Sequence, residues 1–176
     1  DTRRMTRILH NKGVVKGKIV NAETDENSVV EELKVTNFPI NQVEQVSTKT
    51  AYASPGRGFK VVLVDFGSKL GIIRELSQRN CDIIVVSQDT TAEEILLMDP
   101  DGIMLSNGPG DPEDVKGASE LINGLLGKVP IFGICLGHQL IGLACGAKTY
   151  KLKFGHRGGN HPVLDLEKNK VAITSQ

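Results

Sequence analysis

Residues 130–144 read Pro-Ile-Phe-Gly-Ile-Cys-Leu-Gly-His-Gln-Leu-Ile-Gly-Leu-Ala, and this stretch decides the fold class. The apolar run over 130–134 predicts a buried strand, and residues 136–144 predict a helix that ends at Gly146. Cys135 lies between them, with a glycine two positions before it and another two positions after it. This is the spacing of the Gly-x-nucleophile-x-Gly elbow, with cysteine in place of serine. The stretch therefore predicts an α/β fold with Cys135 as its candidate nucleophile.

The alternation of strands and helices continues upstream of this elbow as far as residue 60. Short apolar runs predict strands at 61–64, 82–86 and 102–106, the first bounded by Lys60 and Asp65. Helical patterns follow each of them, near residues 70–76, from the capping-box match at Thr91, and from Asp111 to Leu126. Such alternation predicts a mostly parallel sheet with helices on both faces. Beyond Lys151 the pattern changes to a glycine-rich loop and antiparallel pieces.

The first fifty residues have a different pattern. Met5, Ile8 and Leu9 recur at helical spacing, and Gly13 is the predicted helix stop. The segments that follow are expected to form a short strand, a short helix and a weak strand, at 14–20, 27–35 and 43–52 respectively. This part is short for a core of its own.

Three parts of the chain follow from these patterns. Residues 1–52 are interpreted as the C-terminal part of a smaller N-terminal domain. The Pro- and Gly-containing segment 53–59 is interpreted as a linker. Residues 60–176 are interpreted as the α/β domain.

The composition excludes several classes of protein. Among 176 residues, 39% are hydrophobic and 24% are charged, so a packed core is expected. The 21 basic and 21 acidic residues cancel, which argues against a nucleic-acid-binding surface. No apolar run approaches the ~18–20 residues that span a bilayer. Three widely spaced cysteines suit neither a disulfide framework nor a zinc site, and they favour a reducing, cytoplasmic location.

Cys135 has two interpretations. A free cysteine is most often buried and structural. The flanking glycines and the strand–turn–helix context favour the nucleophile instead. The elbow would raise the sulfur above the strand end, at a helix N-terminus whose partial positive charge favours the thiolate. The N–H of Leu136 would then point to the place where an oxyanion forms.

A second glycine-containing loop follows the predicted strand at 102–106. It reads Ser-Asn-Gly-Pro-Gly-Asp-Pro over residues 106–112. Ligands of open α/β sheets gather at the carboxyl ends of strands. Gly108 and Gly110 can therefore present backbone N–H groups to a small polar substrate, although a plain loop capped by Asp111 is the simpler alternative. Gln139, one helical turn beyond Cys135, is a candidate partner for an amide or carboxylate.

The remaining histidines and cysteines carry weaker predictions. His138 lies within the helix after Cys135 and would have to curl back to act as a base. His156 and His161 lie in a loop of undefined geometry, for which a solvated or partner-facing role is favoured. Core packing is the favoured interpretation of Cys81 and Cys145. The sequence shows no metal-ligand spacing.

Two motifs resemble those of a known family. Residues 133–139 resemble the nucleophile motif of class I (triad) glutamine amidotransferases, and residues 106–112 resemble the glycine loop of that family. Val64-Asp65-Phe66-Gly67, the N-terminal Asp-Thr-Arg, and Lys-Phe-Gly-His-Arg-Gly-Gly-Asn-His-Pro at 153–162 resemble one branch of it. That branch comprises the small, glutamine-hydrolysing subunits of carbamoyl phosphate synthetases. The resemblance covers essentially the whole chain and implies a flavodoxin-like sheet.

The resemblance implies a reaction and a partner. Cys135 would attack the glutamine carboxamide, release ammonia and form a thioester that water hydrolyses. The N–H groups of Gly108 and Leu136 would stabilise the oxyanion, and Gly108, Gly110, Leu136 and Gln139 would bind glutamine. Ammonia would pass to a large synthetase subunit that makes carbamoyl phosphate for pyrimidine and arginine synthesis. ATP and magnesium are expected on that partner, and no cofactor is expected in this chain.

One element of the family pattern is absent from the sequence. The general base and its carboxylate lie in a downstream His-Pro-Glu motif, which these 176 residues do not contain. The expectation is a chain truncated at both ends and nearly inactive by itself, because a missing acid–base group costs ~10²–10⁴-fold. The alternatives are a non-catalytic docking module and another class I amidotransferase, of the anthranilate or guanylate type. The parallel α/β pattern disfavours a papain-like protease.

Overall fold

A computed structural model describes residues 1–156 and 158–175. Arg157, which belongs to the 153–162 motif, and Gln176 lie outside the described residues. The chain divides into two compact units, one of residues 1–37 with 150–176 and the other of residues 38–149. This division differs from the predicted boundary at residue 52. The assignment of the parts to domains of a larger protein stays a prediction.

The helices and strands alternate through most of the chain. In chain order they are α1 (Thr2–Lys12), α2 (Glu26–Val35), α3 (Gln42–Val46), β1 (Tyr52–Ser54), β2 (Lys60–Asp65), α4 (Leu70–Gln78), β3 (Asp82–Ser87), α5 (Ala92–Leu97), β4 (Gly102–Leu105), α6 (Ala118–Leu125), β5 (Ile131–Gly133), α7 (Leu136–Ala144), β6 (His161–Asp165) and β7 (Lys170–Thr174). Strands β1–β5 form one sheet in the order β1-β3-β2-β4-β5, which is parallel except for β1. The parallel strands β3-β2-β4-β5 follow the flavodoxin-like order.

Helices cover both faces of this sheet, as predicted. On one face, apolar side chains of α4 pack against Leu63, Ile83 and Val85. On the other face, α5, α6 and α7 contribute to a larger core around Val62 and Val64. Because β2 is buried on both faces, its continuous apolar run is the pattern expected of a central parallel strand.

The predicted linker is a structured part of the α/β unit. Ala53 and Ser54 belong to β1, which pairs antiparallel with β3. The N–H of Gly58 donates to the Asn80 carbonyl at 2.7 Å. A Cβ at Gly56 would lie 2.2 Å from the Cys81 carbonyl oxygen, so this glycine permits close packing rather than flexibility.

The strand expected over 43–52 is wrong for most of its length. Residues 42–46 form helix α3, and only Tyr52 lies in a strand. The β-branched side chains of this segment favour a strand locally. Burial of Val43 against the main core outweighs that preference, since a helical turn directs Val43 inward.

The strand expected over 14–20 is also absent. Ile19 is fully exposed, and residues 14–20 pair with no strand among the described residues. Their lysines bond instead to α2 and the residue after it: Lys18 lies 2.8 Å from the Glu32 carboxylate, and Lys16 donates to the Thr36 carbonyl. Without a partner strand, a β-branched segment has no ladder of hydrogen bonds to hold it extended.

The helix predicted from Asp111 is interrupted. Asp111 accepts a hydrogen bond from the Glu113 N–H at 3.1 Å and caps a 3₁₀ turn, Pro112–Asp114. Gly117 then adopts a left-handed φ of 75°, and α6 begins only at Ala118. The glycine breaks the helix because it is free to take that conformation.

The other compact unit contains α1, α2 and a hairpin of β6 and β7. The predicted helices are confirmed, and Asp1 caps α1 by accepting the Arg4 N–H at 3.0 Å. The predicted stop at Gly13 is confirmed by a φ of 81°. The antiparallel pieces expected near the end are confirmed as β6 and β7.

Candidate active site

Three parallel strands of the α/β unit end at one edge of the sheet. The segment 66–69 follows β2, the loop 106–110 follows β4, and residues 134–135 follow β5. The two glycine-containing motifs of the sequence therefore lie on neighbouring strands. The chain order reverses between β2 and β4, which is where ligands of such sheets bind.

Cys135 occupies a strained turn between β5 and α7. Its φ is 53° and its ψ is −108°, a combination that costs a non-glycine residue about 1–3 kcal/mol. Its side chain is exposed, and it is the N-cap residue of α7. The predicted elbow geometry is therefore present, with the thiol at the N-terminus of a nine-residue helix.

The glycines on either side of Cys135 allow the turn to pack. A Cβ at Gly133 would lie 2.5 Å from the carbonyl carbon of Gly137. A Cβ at Gly137 would lie 2.4 Å from the carbonyl oxygen of Leu105, at the end of β4. Both approaches are to backbone atoms, which cannot rotate away. The Gly-x-Cys-x-Gly spacing is thus a packing requirement between the end of β5, the start of α7 and the end of β4.

Backbone hydrogen bonds hold the elbow against β4. The N–H of Ile134 donates to the Leu105 carbonyl at 3.0 Å, and the N–H of Gly137 donates to the Ser106 carbonyl at 3.1 Å. Within residues 1–156 and 158–175, the N–H groups of Leu136 and Gly108 donate no hydrogen bond. Neither group is therefore used in holding the elbow against β4.

The two residues predicted to form the oxyanion site are neighbours. A Cβ at Gly108 would lie 2.6 Å from Cδ2 of Leu136 and 2.2 Å from the carbonyl oxygen of Phe66. Gly108 is therefore wedged between the segment after β2 and the first residue of α7. No other residue type fits there without a backbone shift.

The remaining predicted substrate residues are exposed. Gln139 lies on α7 one turn after Cys135, and its N–H donates to the Cys135 carbonyl at 3.1 Å. Gly110 has a φ of 87°, and a Cβ added to it would lie 3.7 Å from the side chain of Gln42. A cleft of about 180 Å³ adjoins Gly110, but its lining does not include Cys135, so it is not the pocket of the thiol.

Polar residues for which the sequence predicted no role join the loops by hydrogen bonds. The Asn107 side-chain oxygen accepts the Lys69 N–H at 3.0 Å, and its amide donates to the Gly67 carbonyl at 3.1 Å. The buried carboxylate of Asp65 accepts the N–H groups of Gly67 and Ser68 at 2.9 and 2.6 Å. Asp65 and Asn107 lie at the ends of predicted strands, and this position in the sequence could have indicated that they join the loops by hydrogen bonds.

Asp65 also links this edge to residues outside the predicted domain. Its second oxygen accepts the Thr48 N–H at 2.8 Å. Desolvation of the Tyr52 phenol, together with the negative charge of Asp65, raises the pKa of Tyr52. Residues 48 and 52, which the sequence assigned to a separate domain, thus contact the α/β sheet.

The histidines and the other cysteines were predicted with mixed success. His10 lies in the last turn of α1, and His138 is exposed on α7. The rings of His156 and His161, in the other compact unit, make an edge-to-face contact at 5.3 Å. Cys81 is buried in the core, as predicted. The prediction for Cys145 is wrong, because its side chain is exposed at the C-terminus of α7.

Metal-binding clusters and membrane-spanning helices are both absent from the described residues. In residues 1–156 and 158–175, no group of three or more His, Cys, Asp or Glu side chains is arranged to hold a metal ion. None of the helices in the same ranges is both long and apolar enough to cross a membrane.

The chain matches a known family over most of its length. The family described as glutamine amidotransferase class-I matches residues 62–176. A crystal structure from Thermoplasma acidophilum, of a protein named as part of a GMP synthase, has a TM-score of 0.51 and 28% identity. That similarity covers 58% of this chain and 52% of the other.

Curated relatives match the whole chain. The pyrimidine-specific small chain of carbamoyl phosphate synthase from Bacillus subtilis is 61% identical over all 176 residues, which make up 48% of its length. Carbamoyl phosphate synthase small chains from Fusobacterium nucleatum and Bacillus caldolyticus are 61% and 60% identical, with 49% and 48% of their lengths covered. This chain therefore spans about half the length of the curated relatives it matches.

Proposed function

Because this chain belongs to the class I glutamine amidotransferase family, we propose that its protein hydrolyses glutamine as the small subunit of a carbamoyl phosphate synthase. The observation that carries the proposal is the elbow at Cys135. Its thiol is exposed at the N-terminus of α7, on a residue with a φ of 53°. Strained residues of this kind concentrate at functional sites. The identity to small chains over all 176 residues supports the specific subunit.

In this proposal, the Cys135 thiolate attacks the side-chain carboxamide carbon of glutamine. A C–S bond forms as the carbonyl π electrons move to oxygen. The oxyanion then re-forms the carbonyl, the C–N bond breaks, and the nitrogen takes up a proton and leaves as ammonia. Water hydrolyses the resulting thioester to glutamate and regenerates the thiol. Each step needs stabilisation of negative charge on the same oxygen.

We assign that stabilisation to the N–H groups of Gly108 and Leu136. Both are unpaired in the described part of the chain, and Leu136 packs against Gly108. The positive end of α7 adds to the same effect. Gly110 and Gln139 complete the proposed glutamine contacts, because both are exposed on the segments next to the elbow.

The departing nitrogen also needs a proton donor. In the class I family this role is expected of the His-Pro-Glu motif, which these 176 residues do not contain. Glutamine hydrolysis is therefore to be measured on the full-length protein.

The proposal includes a partner and a location. Ammonia would pass to a large synthase subunit, which would hold the ATP and magnesium, so this chain needs no cofactor of its own. The names of the relatives, which are small chains, support a second and larger chain. A cytoplasmic location suits a nucleophilic thiol, because thiols stay reduced there.

The direct test is Cys135→Ala in the full-length protein. We expect glutamine hydrolysis to fall by roughly 10⁴-fold or more, since no other group replaces the nucleophile. Cys145→Ala is the matched control, because Cys145 is also exposed and lies at the other end of α7. Measurement of glutamate release checks both variants. Unimpaired hydrolysis by Cys135→Ala would falsify the assignment.

Labelling with a glutamine-mimicking electrophile separates the enzyme from a docking module. Stoichiometric modification at Cys135 supports the enzyme, whereas a folded full-length protein that resists labelling supports the module. Co-purification with a large ATP-using subunit distinguishes the proposed complex from another class I amidotransferase.

A further inference from the structure

Ser106 directly follows β4, and its side chain is fully buried. Its hydroxyl oxygen accepts the N–H of Phe66 at 2.9 Å and donates its own hydrogen to the Asn107 carbonyl at 2.7 Å. Its backbone carbonyl accepts the Gly137 N–H at 3.1 Å. This single residue therefore bonds to the segment after β2, to its own loop and to the start of α7.

The bond to Asn107 has a geometric consequence for Gly108. The carbonyl of Asn107 and the N–H of Gly108 belong to one planar, trans peptide group, so the two point in opposite directions. A hydroxyl that holds the carbonyl on the buried side therefore directs the N–H away from the buried side. That N–H donates no bond within the described residues, which leaves it available to a ligand.

We propose that Ser106 is a positioning residue, whose buried hydroxyl orients the Asn107–Gly108 peptide so that the Gly108 N–H faces the oxyanion. This inference rests on the proposed hydrolysis of glutamine. Ser106 does not touch the reacting atoms and acts only through Gly108.

The loop needs such a constraint because glycine tolerates either orientation of the peptide. A flip of the Asn107–Gly108 peptide changes φ at Gly108, and glycine accepts φ of either sign. The Asn107 side chain is fastened separately, to Lys69 and Gly67, and its bonds do not hold the carbonyl. In the native loop a flip would leave the buried hydroxyl without its acceptor, which is unfavourable.

The test compares two reactions of Cys135 in the full-length Ser106→Ala variant. Glutamate γ-semialdehyde adds to the thiol and forms a tetrahedral adduct whose oxygen occupies the oxyanion site. Iodoacetamide alkylates the same thiol by displacement and forms no oxyanion. We expect kcat for glutamine to fall about 10–10²-fold and the Ki of the semialdehyde to rise by a similar factor, because one donor is misdirected. KM and the alkylation rate should change by less than about two-fold.

Two further variants keep the test decisive. Ser106→Cys retains a weak donor and acceptor of similar shape, so an intermediate Ki is expected, and it replaces the alanine variant if that one does not fold. Ser47→Ala is the matched control. Ser47 is another buried serine of the same compact unit, and its hydroxyl accepts the Gln88 N–H at 3.1 Å. Loss of the Ser47 hydroxyl should lower the stability of the protein without changing the Ki of the semialdehyde.

An unchanged semialdehyde Ki in the Ser106 variants would overturn the proposal. An equal loss of alkylation rate would overturn it as well, because the thiol itself would then have moved. Failure of the proposed function looks different: the unmodified protein would neither hydrolyse glutamine nor bind the semialdehyde.

Discussion

At the scale of the residue, close backbone contacts account for the elbow. Cys135 has a positive φ, and the glycines two positions away on either side let three backbone segments approach one another. A Cβ at Gly137 would clash with the end of β4, whereas a Cβ at Gly142, five residues later in α7, would be in ordinary contact with Ala147. Two glycines of one helix therefore have different roles.

Gly137→Ala should destabilise the full-length protein, whereas Gly142→Ala should not. At Gly137 the new Cβ would lie 2.4 Å from the Leu105 carbonyl oxygen, so we expect a loss of about 1–3 kcal/mol. At Gly142 the nearest atom is 3.8 Å away, and alanine should stabilise the helix by up to about 1 kcal/mol. Thermal unfolding of both variants measures the difference. Equal changes in stability of the two variants would show that the close approach of residue 137 to Leu105 does not determine the effect of the substitution.

At the scale of the element, local capping and tertiary packing both set the helix bounds. The capping box of α5 was predicted from Thr91 and Glu94 and is present in full. By contrast, α3 formed where a strand was expected, because Val43 packs into the core. The start of α5 could be predicted because its signal lies within four residues of sequence. Helix α3 could not be predicted, because its formation depends on packing against core residues that are distant in the chain.

The capping box should make α5 sensitive to pH. Hydrogen bonds from the Thr91 N–H and then from its hydroxyl lower the pKa of Glu94 from its ordinary 4.5. The folded state therefore favours the ionised carboxylate, and this stabilisation is present above the unfolded pKa. It disappears as the pH falls through the lower, folded pKa.

We expect Glu94→Gln to be less stable than the unmodified protein at pH 7, with the difference shrinking below about pH 4.5. Urea unfolding at several pH values measures it. Glu93→Gln is the control, since Glu93 lies in the same first turn but takes no part in the capping box. A difference that is constant across the pH range would contradict the prediction.

At the scale of the whole molecule, the two compact units differ in their burial. In the α/β unit, β2 lies between β3 and β4, and Val62, Leu63 and Val64 are fully buried. In the other unit, β6 and β7 form a two-stranded sheet whose residues are mostly exposed. A two-stranded hairpin is only marginally stable by itself.

Hydrogen exchange should therefore be slowest in β2 and much faster in the hairpin. Amides of β2 exchange only when the sheet unfolds, whereas those of β6 and β7 exchange through local opening. Mass spectrometry of peptides covering 60–65 and 161–174 compares the two segments in the full-length protein. Similar protection of both would mean that the hairpin is stabilised by further contacts.

Much of the fold was readable because its signals are local. Apolar runs, capping residues and the glycine spacing predicted β2 to β5, α4, α5 and α7 with nearly correct bounds. Cys135 was identified as the candidate nucleophile for the same reason, since strand, turn and helix are adjacent in the chain. The interruption before α6 was missed, because Asp111 and Pro112 were interpreted as the start of the α-helix, whereas they begin a 3₁₀ turn and Gly117 separates it from α6.

By itself, the sequence determined the α/β class, the alternation of strands and helices along the chain and the elbow at Cys135. Only the tertiary structure decided which loop residues fasten the site. The Ser106 hydroxyl bonds to Phe66, forty positions away, and the Asp65 carboxylate bonds to Thr48. Such bonds join segments that become neighbours only when strands pair, so their partners are set by sheet register and not by local pattern.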